Sequence, residues 1–208
     1  MINGEILKKI CPNMDANRAA EIAAHIVSAG KFYKIDTPDV MHEFIASVAH
    51  ESGGFRFKDE SLNYSSKRLM QVWPKHFNAA NAKEYAFNAE KLANKIYGTG
   101  SIAKSLGNYK PELGYLRRGA GFMMLTGETN HSAYANFVSM PIEECSRSMR
   151  ESDIMAIDSA MWFYAVKAKL IPLSKGDSIV QVSVRVNGGL IGIDDRKKYY
   201  NLAKKYIK

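Results

Sequence analysis

Two glutamates in the run HESGGFRFKDESLNYS, residues 50–65, could do chemistry together. Glu51 ends an apolar helical stripe, and Glu60 lies nine residues on, beyond Gly53 and Gly54. Hydrolysis of a glycosidic bond needs two carboxyl groups in unlike environments, one protonated to assist the leaving oxygen and one ionised. A glutamate turned into an apolar face is desolvated, which raises its pKa and keeps a proton available for donation. Glu60 follows Lys58 and Asp59 in a polar segment, where it stays ionised and can act as base toward a water. Taken singly, Glu51 reads as a helix end reaching solvent and Glu60 as a surface charge. Only the pair makes the chemistry competitive.

Other chemistries find no residues. His50-Glu51 opens a zinc motif of the H-E-x-x-H kind, but position 54 is Gly54 and not a second histidine. His25, His42, His76 and His131 are scattered and suggest no ligand cluster. There is no G-x-S-x-G elbow and no phosphate loop. No metal and no cofactor are expected.

The elements that must position the pair read as helices. Asp15 caps a helix running to about Ser28, with Gly30 as its stop. Thr37 and Pro38 open the next, whose Val40, Met41, Phe44, Ile45, Val48 and Ala49 recur at helical spacing. At ~100° per residue, Glu51 falls on that same face. Short helices are expected over 66–72, 89–97 and 142–148, and a longer one over 154–169, before Pro172. Residues 98–121 show little periodicity and read as a long loop. The stretch 177–186 fits helix or strand, with helix favoured by context. A basic helix runs from Asp194 or Asp195 to Lys208. Trp73 and Trp162 sit on apolar patterns and read as core.

With 208 residues, the chain can bury one domain or two small lobes. No stretch approaches the roughly 20 apolar residues of a membrane span. The start MINGEILKKI lacks the apolar core of a secretory signal, so synthesis in the cytoplasm is expected, with action elsewhere only after release. Cys11 and Cys145 match no disulfide framework and read as reduced, partly buried thiols. A net charge of +8 favours an anionic partner.

Beyond the pair, HESGGF, then LNYS and RLMQVWP, then YLRRGAGFMMLTGETN and VRVNGGLIGIDDR follow one another in an order that resembles family 19 of the glycoside hydrolases. The resemblance covers roughly residues 18–205 and is closest to the branch of bacteriophage endolysins and related bacterial enzymes. It implies a mainly α, lysozyme-like, two-lobed helical fold with a substrate cleft between the lobes, and inverting hydrolysis of a β-1,4 link. Glu51 then matches the general acid and Glu60 the general base, ~6.5–9.5 Å apart to admit a water. Thr126 matches a hydroxyl that holds this water. His50, Tyr64, Tyr115, Asn130, Asn187 and Arg196 fall at sugar-binding positions, and Arg196 could also pair with Glu60. For Tyr64 and Tyr115, packing within a lobe is the competing role. The chain departs from the family at Ala120, usually arginine, and at Met124, usually glutamine. Altered substrate choice is one consequence open to these changes.

These readings converge on a single catalytic domain over 1–208, without a separate wall-binding module, acting as a monomer on peptidoglycan glycan strands during host lysis. A chitinase acting on N-acetylglucosamine polymers and a non-catalytic glycan binder are the alternatives. The basic C-terminal helix either closes the lobe or also touches anionic lipid or lipopolysaccharide. A nucleic-acid partner would leave both glutamates unexplained and is not expected.

Overall fold

Ten consecutive residues of one helix, from Val40 to Ala49, are buried. This helix, α3 (Pro38–Glu51), follows α1 (Gly4–Ile10) and α2 (Ala16–Tyr33) in the computed structural model, which describes residues 1–174 and 178–208, and Asn187 by its backbone alone. The chain continues through α4 (Ser66–Val72), α5 (Ala82–Tyr85), α6 (Ala89–Ile96), α7 (Gly100–Leu106), α8 (Leu113–Leu116) and α9 (Glu128–Phe137). It ends with α10 (Ile142–Glu151), α11 (Asp153–Trp162), α12 (Ile179–Asn187) and α13 (Ile193–Tyr206). Among the described residues the fold is mainly helical, and β pairing is limited to isolated bridges.

The chain divides into two compact units. The first comprises Met1–Lys58, Gly121–Met123 and Ser148–Lys208. Here α3 is enclosed by its neighbours, with α13 packed along it and Ala46, Ile179 and Tyr200 in one cluster. Because α3 is buried all round, its buried set includes Glu43, whose Oε1 accepts from Ser178 N and Oγ at 3.1 and 2.9 Å. At the edge of this unit, Asp153 joins Arg18 Nε at 2.5 Å and Lys58 Nζ at 2.6 Å. Burial opposes the Asp153 carboxylate, but hydrogen bonds from Arg18 and Lys58 prevail and hold its pKa below the ordinary value.

The second unit comprises Asp59–Ala120 and Met124–Arg147. Its core is Leu62, Leu69, Phe77, Leu92 and Ile96, with Tyr64, Trp73, Tyr97 and Tyr115 packed against it. Helices α6 and α8 approach closely because Gly114 carries no side chain: a Cβ there would lie 2.4 Å from Ala93 O.

Several elements depart from expectation. Helix α2 runs through Gly30 to Tyr33 and is closed by Lys34 in the left-handed region. Gly30 serves close packing, since a Cβ would lie 3.2 Å from Ile35 O. The supposed loop 98–121 contains α7 and α8, and α1, α5 and α9 were not foreseen. Helix α11 yields at Trp162 to a π-helical turn over Phe163–Lys167. The stretch beginning at Asp177 is helical from Ile179 on, Asp177 itself lying outside the described residues. Cys11 and Cys145 are fully buried free thiols, and burial pushes them up to about 12 and about 11. As expected, Trp162 is core, and Trp73 is half-buried with its ring packed against the second unit's core.

Candidate active site

In the first unit, Glu51 is the last residue of α3 and Arg196 stands in the first turn of α13. Arg196 is completely buried, and its Nη2 donates to Glu51 Oε1. One residue earlier on each helix, His50 Nδ1 meets Asp195 Oδ2 at 2.8 Å. Consecutive residues at the end of α3 are thus tied to consecutive residues at the start of α13. Gly192, with φ +76°, makes room for this: a Cβ there would lie 2.4 Å from His50 Cε1. Arg196 therefore pairs with Glu51, because the packing of α13 on α3 brings its guanidinium to the end of α3. Among the described residues, Arg196 Nε and Nη1 are buried without a hydrogen-bond partner. The Glu51 side chain keeps 23% of its surface exposed, so it is gripped on one side and open on the other.

In the second unit, both oxygens of Glu60 accept from neutral donors. The Tyr97 hydroxyl donates to Oε1 at 2.7 Å, and Gly119 N–H donates to Oε2 at 2.9 Å. The Glu60 N–H returns a bond to Gly119 O at 3.0 Å. A Cβ on Gly119 would sit 3.2 Å from Glu60 Oε2, so glycine permits this approach. Burial, and then the Glu60 charge, push the Tyr97 phenol far above its ordinary value, so it remains a donor. Buried Asn108 anchors Tyr97 from behind: its Nδ2 donates to Tyr97 O at 2.8 Å while its Oδ1 accepts from Glu128 N at 2.9 Å. Next to Glu60, Asp59 is held by Arg118 Nε and Nη2, both at 2.8 Å, and Arg118 lies 4.1 Å over the Tyr115 ring.

Ala120 is fully buried and bridges both Asp59 and Leu125, so its backbone fixes the frame behind Thr126. The Thr126 hydroxyl donates to Met124 O at 2.9 Å, which leaves its oxygen as an acceptor. Asn130 Nδ2 donates to Thr126 O at 2.9 Å. His131, buried, bonds Leu125 O through Nε2 at 2.8 Å and Ser146 Oγ through Nδ1 at 2.7 Å. A carbonyl only accepts, so Nε2 carries a proton.

Sequence reasoning placed Glu60, Thr126 and Asn130 in one neighbourhood by motif, and missed Tyr97, 37 residues from Glu60. Tyr64 lies edge-on to Trp73 with ring centroids 5.2 Å apart, and it and Tyr115 are half-buried against the core. The Asn187 side chain lies outside the described residues. One signal was invisible in the sequence. Phe55, Leu62 and Met124 take left-handed backbone conformations at φ 62°, 47° and 49°. Such conformations in bulky residues cost about 1–3 kcal/mol and gather at functional sites. These three lie within four residues of Glu51, Glu60 or Thr126 in sequence, whereas the other four such residues among those described, Lys34, Phe87, Ser139 and Lys169, do not.

Compared with models of known protein families, the chain matches none. It is 35% identical over 204 residues to a glycosyl hydrolase family 19 domain-containing protein of Haemophilus influenzae, covering 96% of this chain and 94% of that protein. Among solved structures it is similar to chitinase C from Streptomyces griseus, with a TM-score of 0.62 at 14% identity, over 99% of this chain and 76% of the other. A bacterial family 19 chitinase is similar with a TM-score of 0.61 at 14% identity, over 97% and 94% of the two chains.

Proposed function

This chain belongs to glycoside hydrolase family 19, and from that premise we propose that it cleaves β-1,4 glycosidic bonds of the bacterial cell-wall glycan by inversion. It is a glycoside hydrolase with a mainly helical, lysozyme-like fold. The observation that carries the catalytic reading is the unlike setting of the two carboxyl groups, one facing a buried guanidinium and one facing a phenol and a backbone N–H. In the proposed reaction, Glu51 must leave its pairing with Arg196 and take up a proton before it can give that proton to the leaving glycosidic oxygen. A water attacks the anomeric carbon from the opposite face, and Glu60 takes its proton. The Thr126 oxygen accepts the water's second hydrogen, aiming a lone pair at the sugar. Asn130 keeps the Thr126 backbone in place.

Two features support peptidoglycan over neutral chitin. The net charge of +8 suits a polymer bearing lactyl and peptide carboxylates. Helix α13 also turns Lys197, Lys198 and Lys205 outward, while Tyr200 and Ala203 are buried. We therefore assign α13 an electrostatic contact with anionic lipid or lipopolysaccharide, without insertion of an apolar face. The reading extends to an endolysin that works as a monomer, made in the cytoplasm and released to the wall. Chitin is the second reading, favoured by the likeness to solved chitinases.

Clearing of outer-membrane-stripped Gram-negative walls tests the proposal. Wild type should clear them, and Glu51→Gln and Glu60→Gln should each lose about 10²–10⁴-fold in rate. Intact walls beside soluble chitooligosaccharides released from chitin would move the assignment to the second reading.

A further inference from the structure

A groove of about 380 Å³ opens on the second unit between α7 and the turn at residues 107–111. Close packing against glycines, by backbone at one and by a hydroxyl at the other, builds its walls. A Cβ on Gly98 would lie 2.1 Å from Pro111 O, and one on Gly107 would lie 2.2 Å from Thr129 Oγ1. Asn108, which lines the groove, is only 6% exposed and is bonded at both ends of its amide. These walls are therefore fixed before anything binds, which spares a ligand the cost of ordering them.

The rim is open and cationic. Tyr109 is 76% exposed, as Phe32 and Phe87 also are to a similar degree, and Lys110 Nζ lies 5.9 Å over its ring centroid. Lys104 lines the same groove and no lining residue is a carboxylate, although Lys110 lies near Glu143, which is itself held by Arg117. The proposed acid–base chemistry uses none of these side chains. An exposed aromatic face suits the apolar face of a pyranose, and two ammonium groups suit an anion. Asn108 connects the groove to the base, since it holds Tyr97, which holds Glu60.

We propose that this groove binds an acidic N-acetylated sugar of the wall glycan, its ring on Tyr109 and a carboxylate of its substituent at Lys104 and Lys110. The assignment rests on the peptidoglycan reading above and gives it a physical basis for preferring acidic over neutral glycan. The carboxylate has two sources, the lactyl ether itself or the stem peptide attached to it.

The test is a titration of the isotopically labelled Glu60→Gln chain, followed by backbone amide shifts. Three probes are compared: N-acetylglucosaminyl-N-acetylmuramyl tetrapeptide, the same disaccharide with its peptide removed, and chitobiose. The expected result is shifts over residues 98–111 with the acidic probes. Their affinity should fall about tenfold in Lys104→Ala/Lys110→Ala, the scale of two exposed ion pairs, and chitobiose should not respond to that change. Tyr109→Ala should weaken all three. Stronger binding of the peptide-free disaccharide assigns the carboxylate to the lactyl ether, and stronger binding of the tetrapeptide form assigns it to the stem. Shifts confined to other residues, or equal affinities in the lysine variant, overturn the groove. Wall clearing by wild type is read separately, so groove binding without clearing would reject the proposed function alone.

Discussion

In the first unit, Glu51 is gripped by a buried guanidinium from a helix 145 residues downstream, whereas in the second, Glu60 is cradled by a phenol and a backbone N–H. The first arrangement is a charge pair between two helices, and its energy depends on keeping both charges in place. The second is a set of neutral hydrogen bonds from short helices and turns, which fixes direction more than charge. The difference suits the proposed division of labour. A proton donor must exchange its partner during the reaction, while a base that aims a water must stay still.

The largest effect is expected at the charge pair. Arg196→Met leaves Glu51 without its cation, and breaking a buried pair costs about 3–5 kcal/mol. Since Glu51 is partly exposed, the lower end of that range is expected, read as a drop in the denaturant midpoint. The double variant Arg196→Met/Glu51→Gln should recover most of this loss. Equal stability of the single and double variants would mean the pair does not organise the first unit.

Next comes the hydroxyl on Glu60. Tyr97→Phe removes one donor and little volume, so kcat should fall about tenfold with KM nearly unchanged and stability lowered by about 1 kcal/mol. A change in KM alone would assign Tyr97 to sugar binding. Smaller still is Gly119→Ala, whose added methyl presses on Glu60 at 3.2 Å and on Met124 Cβ at 3.4 Å. Displacement by a few tenths of an ångström should slow turnover several-fold. Unaltered kcat would show that the base tolerates looser positioning than the cradle suggests.

The smallest effect concerns pH. The folded Asp153 pKa lies below its ordinary value of 3.8. Its stabilising contribution is therefore complete above about pH 5, and it fades as pH falls through the depressed folded value. Wild type and Asp153→Asn should differ in urea midpoint at pH 6 and converge toward pH 3. Parallel curves across that range would remove Asp153 from the acid limb.

Local patterns in the sequence sufficed for some parts of the molecule and failed for others. Ser66–Val72 was bounded correctly because a serine cap and apolar spacing both act within a few residues. Phase along α3 placed Glu51 on an apolar face, yet α3 is buried on every side, so phase alone carried little information. What distinguishes Glu51 is its place at the helix end, facing α13. Arg196 was weighed as a partner for Glu60 because charge alone cannot choose between two carboxylates. Tyr97 was missed for a related reason: it reaches Glu60 only through the packing of the second unit's core. Gly30 misled as a stop because its role is close approach to Ile35.

The span between Glu51 and Arg196 also sets a timetable. A ribosome adding about 5–20 residues per second needs roughly 7–30 s to pass from one to the other. During that interval the end of α3 lacks both its guanidinium and the Asp195 partner of His50. The Glu51 corner is therefore among the last parts of this chain to assemble, and the nascent protein lacks an organised acid until α13 has docked.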